Sequence, residues 1–495
     1  MACGTGKTFT SLKIAERQTN NRGFILFLMP SLALLSQTLY DWKRQASAAM
    51  TAFAVCSDSK VGKSGDEDDF ASYMRPSDLN FPATTDAQSL AQAVNAALER
   101  KGPDSGLTVI FSTYQSLDVI HQAQVDYGLP ALDLIICDEA HRTVKGYQKS
   151  DVSDESNFSL IHHDDYIKGS KRLYMTATPK IYGEAAKQQE SEGEAILYSM
   201  DDEKVFGPVL HIFNFNQAVD KKCLVDYKVI ILVGDKSLLP TDESLLDFSQ
   251  NQAAKVVGTW KALNKYGVSD LLSGDEQPMR RAVGFAQIID SKGKYDKAGS
   301  KQFTNYFQTV VESYREHIAK LSLTDPEGRA SEEFAYLSEH NLVCDCKHID
   351  GSMDAIKKGQ LLDWLRNEPE DNHCKILFNV RCLSEGVDVP ALDAVVFLSP
   401  RKSQVDVVQT VGRVMRTAPG KKRGYVIIPV VTNDLEHPES IFDKNRSFEV
   451  VWQVLNALKS INPDDVLFDG RLNSIHKRIE VICVQKDKIK GKAST

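Results

Sequence analysis

The sequence predicts an α/β chain built from two consecutive, mostly parallel sheets, each covered by helices on both faces. Three observations carry this. Short apolar runs recur, and they are continuously apolar rather than alternating, as strands buried on both faces require. Helix-like segments separate them. A polar stretch, 214–225, divides one such series from another. In the first series Phe24–Met29, Leu107–Phe111, Leu132–Cys137 and Arg172–Met175 read as buried strands. Between them, Ser31–Arg44 has helical character, with Ser31 as an N-cap after Pro30. In the second series the strands are Tyr227–Val233, Ala282–Ile289, Leu342–Ile349, Lys375–Asn379, Ala394–Leu398 and Gly424–Pro429, and the helices include Phe303–Leu321, Ala355–Arg366 and Val405–Arg416. Two α/β series imply two sheets, each with its own core.

The boundaries expected on this basis are 1–215 for the first domain, 216–442 for the second and 443–495 for a partial helical extension that ends in the basic run Lys486–Lys492. The segments 57–85, 143–165 and 291–300 are polar and read as solvated insertions. With 495 residues, 42% apolar and 25% charged, the composition is that of a globular protein with material for more than one core. No apolar run approaches the roughly 20 residues of a membrane helix, and no basic-then-apolar leader opens the sequence. The nine cysteines form no C-x-x-C pair, which argues against zinc and for reduced thiols. The expectation is a cytoplasmic protein with no membrane partner. A net charge of −8 argues against a partner coated in phosphate, but leaves room for a local basic groove.

Three motifs carry chemistry. Met1-Ala2-Cys3-Gly4-Thr5-Gly6-Lys7-Thr8 fits a phosphate-binding loop, with Ala2 in place of the first glycine. Gly4, Thr5 and Gly6 let backbone N–H groups turn toward phosphate oxygens. Lys7 neutralises charge on the β/γ-phosphates, and the Thr8 hydroxyl is a ligand for Mg²⁺ at the start of a helix whose N-terminus favours an anion. The apolar strand ending in Cys137 delivers Asp138 and Glu139 at its carboxyl end, where ligands bind in open α/β sheets. Asp138 suits Mg²⁺, usually through water, and Glu139 suits the attacking water. In Gln409-x-x-Gly412-Arg413-x-x-Arg416, offsets of four and seven place Gln409, Arg413 and Arg416 on one helical face. Two planar, always-charged donors there suit a transferring γ-phosphoryl group.

With these motifs in order, the sequence resembles the helicases of superfamily two. Asp138-Glu139-Ala140-His141 is the DEAH form of motif II. Thr176-Ala177-Thr178 resembles motif III, which with His141 couples hydrolysis to nucleic-acid binding in that family. Pro30-Ser31 and the stretch from Leu34 to Gln37 resemble motif Ia, and Ser112-Thr113-Tyr114-Gln115 resembles a following nucleic-acid contact motif. Glu385–Pro390 resembles motif V, and the Gln409–Arg416 helix resembles motif VI. Thr113–Ser116, Arg172–Pro179 and His348–Met353 further resemble the motors of single-polypeptide type I restriction-modification enzymes and related phage-defence helicases.

The resemblance implies two RecA-like domains, with ATP and Mg²⁺ between them. The first domain contributes Lys7, Thr8, Asp138 and Glu139. The second contributes Arg413 and Arg416 as arginine fingers, with Gly386 and Asp388 near the ribose or γ-phosphate. Ser31, Gln37, Thr113, Tyr114 and Gln115 are the implied nucleic-acid contacts, and duplex DNA is the implied partner. Departures are also visible. No nuclease or methyltransferase motif is found, so those modules are expected in missing sequence or another chain. The strand that should carry the phosphate loop is also missing, which predicts that Met1–Gly4 is poorly anchored. Two other readings stay open: a strand-separating DNA repair or RNA helicase, and a truncated, catalytically silent fragment that binds nucleic acid.

Overall fold

The computed structural model describes residues 1–56, 83–100, 106–144, 146–148, 158–182, 195–234, 249–267, 275, 277–290, 298–324, 329–380, 389, 391–401, 403–431, 449–461 and 478–483. The chain divides into two units, Met1–Asn214 and Phe215–Thr495.

In the first unit the strands are β1 (Phe24–Met29), β2 (Met50–Val55), β3 (Ala83–Thr84), β4 (Leu107–Thr113), β5 (Leu134–Cys137), β6 (Gly146–Gln148), β7 (Arg172–Tyr174) and β8 (Ala195–Leu197). The helices are α1 (Lys7–Gln18), α2 (Leu32–Gln45), α3 (Ala87–Glu99), α4 (Leu117–Asp126) and the short α5 (Glu203–Phe206). Six strands form one sheet in the order β3-β2-β4-β1-β5-β7, and every pairing in it is parallel. β6 and β8 form a separate antiparallel pair.

The side-chain alternation of a strand explains why β1 is apolar at every position. Ile25, Phe27 and Met29 face a core with Leu12 and Ala15 of α1 and Leu35, Leu39 and Trp42 of α2. Phe24, Leu26 and Leu28 face the opposite core, with Leu90 and Val94 of α3 and Leu117 and Ile120 of α4. Both faces are therefore covered, and a polar residue anywhere on β1 would be buried without a partner. Ser31 caps α2 as its sequence position predicts, the hydroxyl oxygen accepting from the Leu34 N–H at 3.5 Å.

The second unit contains the helices α6 (Phe215–Asp220), α7 (Gln250–Leu263), α8 (Ser300–Thr324), α9 (Arg329–Glu339), α10 (Ala355–Arg366), α11 (Gln404–Val414) and α12 (Glu449–Ile461). Its strands are β9 (Asp226–Gly234), β10 (Arg281–Phe285), β11 (Val343–His348), β12 (His373–Asn379), β13 (Ala394–Phe397), β14 (Arg423–Val431) and β15 (Ile479–Cys483). They form a seven-stranded sheet in the order β11-β12-β10-β13-β14-β9-β15, again parallel throughout. Helices α7 and α8 cover one face of it through Val256, Trp260, Phe303 and Phe307. α11 packs against α12 and against β13 and β14. Both units thus have the two-faced parallel organisation of a RecA-like domain.

Some elements differ from the sequence reading. Within 443–495 a helix does form, as α12, but Ile479–Cys483 is a strand that pairs in parallel with the edge of β9. Five residues among polar neighbours carry little strand signal, and the open ladder of β9 supplies what the local sequence lacks. β2 and α3 were equally weak in the sequence: Met50–Val55 is short and holds small residues, and it becomes a strand because β4 pairs along its whole length.

Trp42 is the keystone of the α1/α2 face. It is 0% exposed, meets Phe27 and Phe111 edge-on at 5.2 and 5.6 Å, and donates its Nε1–H to the Thr8 carbonyl at 3.1 Å. Replacing Trp42 by Ala is expected to destabilise the first unit by about 3–5 kcal/mol, read as a lower denaturant midpoint for that unit's transition.

Candidate functional site

The residues singled out in the first unit converge at the carboxyl edge of its sheet. The turn that precedes α1 needs positive φ twice, at Gly4 (φ 78°) and at Gly6 (φ 87°), a conformation that glycine adopts without penalty. Gly6 is the N-cap of α1, so the first amides of that helix have no intrahelical acceptors and face outward from the loop. The Thr5 hydroxyl closes the turn on the Ala2 carbonyl at 2.7 Å, and Ser11 donates to the Thr8 carbonyl at 2.7 Å.

The expectation that Met1–Gly4 is poorly anchored is not met. The Ala2 N–H donates to the Phe213 carbonyl at 2.7 Å, and Ala2 is 3% exposed. The Met1 amino group donates to the Thr176 carbonyl at 3.2 Å. The last residues of the first unit therefore supply a backbone acceptor beside the loop, a long-range contact that no local pattern announces.

Lys7 and Glu139, remote in sequence, form a buried ion pair with Nζ–Oε1 at 3.3 Å and both side chains 11% exposed. Burial opposes the charge on each. For Lys7 the Glu139 carboxylate outweighs it, with Cys3 and Asp138 adding to the effect, and the ammonium titrates above the ordinary lysine range. For Glu139, Lys7 and then His141 outweigh burial and hold the carboxyl below the ordinary range. Asp138, 8% exposed, lies one residue beyond β5, and its Oδ1 accepts the Glu139 N–H at 3.0 Å. Glu139 itself has φ 47°, a left-handed conformation that costs a non-glycine residue on the order of 1–3 kcal/mol. Neighbouring bonds hold it there, including the Ala140 N–H to the Met175 carbonyl at 2.9 Å.

His141 joins the acidic turn to the segment after β7. Its Nδ1 lies 2.9 Å from Thr176 Oγ1, 3.4 Å from Thr178 Oγ1 and 3.4 Å from Glu139 Oε2. The Thr178 N–H donates to Thr176 Oγ1 at 3.0 Å. Lys7, Asp138, Glu139, His141, Thr176 and Thr178 are therefore assembled in one place, with Thr8 one residue into α1.

Other expected residues fare differently. Tyr114, expected as a nucleic-acid contact, is instead buried: its ring is 0% exposed, and its hydroxyl donates to the Asp138 carbonyl at 2.8 Å. Thr113, 6% exposed, shares a hydrogen bond between its Oγ1 and Ser116 Oγ at 3.1 Å, and the 4%-exposed Ser31 is occupied as a helix cap. Gln37 and Gln115 remain half-buried. In the second unit, the helix reading held for Gln409 and Arg413 but not for Arg416. α11 ends at Val414, Met415 caps it, and Arg416 lies in an antiparallel bridge with Leu224. Gln409 is 5% exposed and, among the described residues, its Oε1 has no hydrogen-bond partner. Gly386 and Asp388, with the rest of the motif V stretch apart from Val389, lie outside the described residues.

The sequence reading missed a supporting cluster behind the acidic turn. His162 Nε2 is 3.3 Å from the Thr143 carbonyl and its Nδ1 is 3.0 Å from the Tyr174 hydroxyl. A carbonyl only accepts, so Nε2 carries the proton and Nδ1 accepts from Tyr174 in the neutral ring. Tyr198 and Phe206 pack on the imidazole at 4.8 and 4.9 Å. No motif marks these residues, and only the fold joins them.

These sheets and this convergence are those of a helicase-type chain, in agreement with two family matches. Residues 1–181 match the family described as type III restriction enzyme, res subunit, and residues 316–418 match the helicase conserved C-terminal domain. More particularly, the chain is similar to the ATP-dependent Type ISP restriction-modification enzyme LlaBIII, solved bound to DNA, at 38% identity and a TM-score of 0.76 over 99% of this chain and 30% of that one. It is also similar to the Type ISP enzyme LlaGI, solved as a nuclease-deletion mutant with a DNA substrate mimic, at 34% identity and a TM-score of 0.58 over 97% and 28% of the two chains. A probable helicase of African swine fever virus is 22% identical over 434 residues, 88% of this chain and 38% of the viral protein. The chain thus spans well under half the length of these relatives. Among the described residues no helix is long and apolar enough to cross a membrane.

Burial lowers the pKa of His162 to about 4, with His163 and Arg172 acting in the same direction against the Thr143 bond. The unfolded chain therefore takes up a proton on this ring near pH 6.5 while the native state does not. Stability contributed by the neutral ring is intact above pH 6.5 and is lost as pH falls toward 4, by about 3 kcal/mol in all. His162→Gln is expected to flatten that part of the stability–pH curve, measured by denaturant unfolding from pH 7 to pH 4.

Proposed function

We propose that this chain is an ATP-dependent DNA motor, a DNA-stimulated ATP hydrolase that moves along duplex DNA within a restriction or phage-defence system. The observation that carries the reading is the Lys7–Glu139 pair beneath a glycine turn, at the carboxyl edge of a parallel sheet. The likeness to an ATP-dependent Type ISP enzyme bound to DNA supports the choice of ATP and of DNA. Nuclease, methyltransferase and target-recognition modules, in this reading, come from sequence outside this chain or from another chain.

The chemistry follows from the residues. The outward amides of Gly4–Thr8 bind the phosphates, and Lys7 turns from Glu139 to the β/γ-phosphates when a triphosphate competes for its ammonium. That exchange releases Glu139, which orients the attacking water and takes up its proton. The hydroxyl of Thr8 and the carboxylate of Asp138 form a hard oxygen donor set that suits Mg²⁺, which supplies charge neutralisation at the phosphates when bound. Arg413 and Arg416 stabilise charge on the transferring group, Gln409 orients the attacking water by accepting its O–H at the buried Oε1, and Gly386 and Asp388 act near the ribose or γ-phosphate. His141, Thr176 and Thr178 transmit the state of Glu139 to the segment after β7. Gln37 and Gln115, which keep exposed surface, contact the DNA backbone, aided by the amides at the turns that Ser31 and Thr113 shape.

The test is steady-state ATP hydrolysis with duplex DNA, single-stranded DNA and RNA. Duplex DNA is expected to stimulate it, and stimulation by RNA alone would overturn the reading. Glu139→Gln is expected to lower kcat by about 10²- to 10⁴-fold with nucleotide binding retained. Lys7→Ala is expected to lose nucleotide binding itself, measured by equilibrium titration. Arg413→Ala should lower kcat by about 10³-fold or more without changing nucleotide affinity to the same extent. Displacement of a third strand from a triplex then tests translocation.

A further inference from the structure

Tyr114 occupies a segment that resembles a nucleic-acid contact motif, yet it points inward and bonds to the acidic turn. We propose that Tyr114 is a positioning residue that links the DNA-gripping turn after β4 to the hydrolytic turn after β5, so that DNA held at Gln115 changes the placement of Glu139. This rests on the reading of the chain as a DNA-stimulated ATP hydrolase.

Any buried tyrosine hydroxyl needs an acceptor. What matters is which acceptor this one has. The Asp138 carbonyl belongs to the peptide unit that joins the two carboxylates. That unit is planar, so fixing its oxygen also fixes the Glu139 N–H, which donates to Asp138 Oδ1 at 3.0 Å. With φ at Glu139 held at 47°, the peptide plane then sets the direction in which the Glu139 side chain leaves the backbone. A single hydrogen bond from Tyr114 therefore acts on the orientation of the group that meets the attacking water.

The sheet order makes this link informative. β4 and β5 are not neighbours, because β1 lies between them. No ladder hydrogen bond joins the end of β4 to the end of β5, and the Tyr114 side chain spans the gap that two strand spacings leave, about 10 Å. Tyr114 is also not free to move alone. It opens the 3₁₀ turn Tyr114–Ser116, which leads directly into α4. Thr113 and Ser116 are bonded through their hydroxyls at 3.1 Å, and the tyrosine ring packs on Phe158 at 5.1 Å. Gln115, adjacent in sequence, retains exposed surface where Tyr114 has none. Two successive residues thus face solvent and the catalytic turn respectively, and in this proposal a displacement of one is carried to the other by a short, bonded turn.

Tyr114→Phe deletes one oxygen and keeps the ring in the core. Two measurements on the full chain test it. In ATP hydrolysis, the ratio of the duplex-stimulated rate to the basal rate is expected to fall about tenfold, the effect of losing one well-placed hydrogen bond. A merely structural role would lower both rates together and leave the ratio unchanged, and that result overturns the proposal. In amide hydrogen exchange, duplex DNA is expected to alter residues 112–118 and 137–143 in the parent chain, but only 112–118 in the variant. Exchange at 137–143 that ignores DNA in the parent, or that responds equally in both, also overturns it. If the parent chain shows no DNA stimulation, the motor reading fails on its own account, and the exchange experiment still decides the role of Tyr114.

Discussion

The first unit is organised around one buried ion pair. Lys7 and Glu139, 132 positions apart in the sequence, meet at 3.3 Å with little exposure. Neither charge is stable alone at such a depth, and removing one partner from a buried pair typically costs about 3–5 kcal/mol. The pair therefore constrains the glycine turn that presents Lys7 and the strained turn that presents Glu139. It also places an ammonium and a carboxylate where a polyphosphate can compete for the one and release the other. Structure and proposed chemistry share this contact.

Around it, the parallel sheet does the positioning. β1, β4, β5 and β7 all run the same way, so the turns after them open on one edge. That edge collects Ser31, Thr113, Asp138 and Thr176 from four separate places in the sequence. Helices α1 and α2 brace it from one side, with Trp42 holding the Thr8 carbonyl. The aromatic cluster at His162 braces the end of the acidic turn through the Thr143 carbonyl. The left-handed Glu139 is tolerated because the Asp138 carbonyl and the Ala140 amide on either side of it both have partners.

Much of the architecture was legible because burial writes itself into composition. A strand covered on both faces is dominated by apolar residues, and β1, β5 and β13 are apolar at every position. The position of α2 followed from its helical character and the Ser31 cap. The reading weakened wherever an element depends on a neighbour. β15 exists because β9 has an open edge, and β2 because β4 does. Arg416 falls off the expected helical face because the chain leaves α11 at Met415 to pair with Leu224, an event that helical periodicity cannot anticipate.

The sequence by itself determined the fold class and the chemical inventory: a glycine turn with Lys7 and Thr8, paired carboxylates at a strand end, and an arginine-bearing apolar helix. These are local facts, set by side-chain type and short spacing. Only the tertiary structure decided which of those groups touch and which way they point. It turned Tyr114 from a presumed surface contact into a buried strut on Asp138, anchored Ala2 on Phe213, and joined His141 to Thr176. Each of these depends on backbone carbonyls or hydroxyls brought together from distant segments, and a hydrogen bond between distant segments leaves no periodic trace in the sequence.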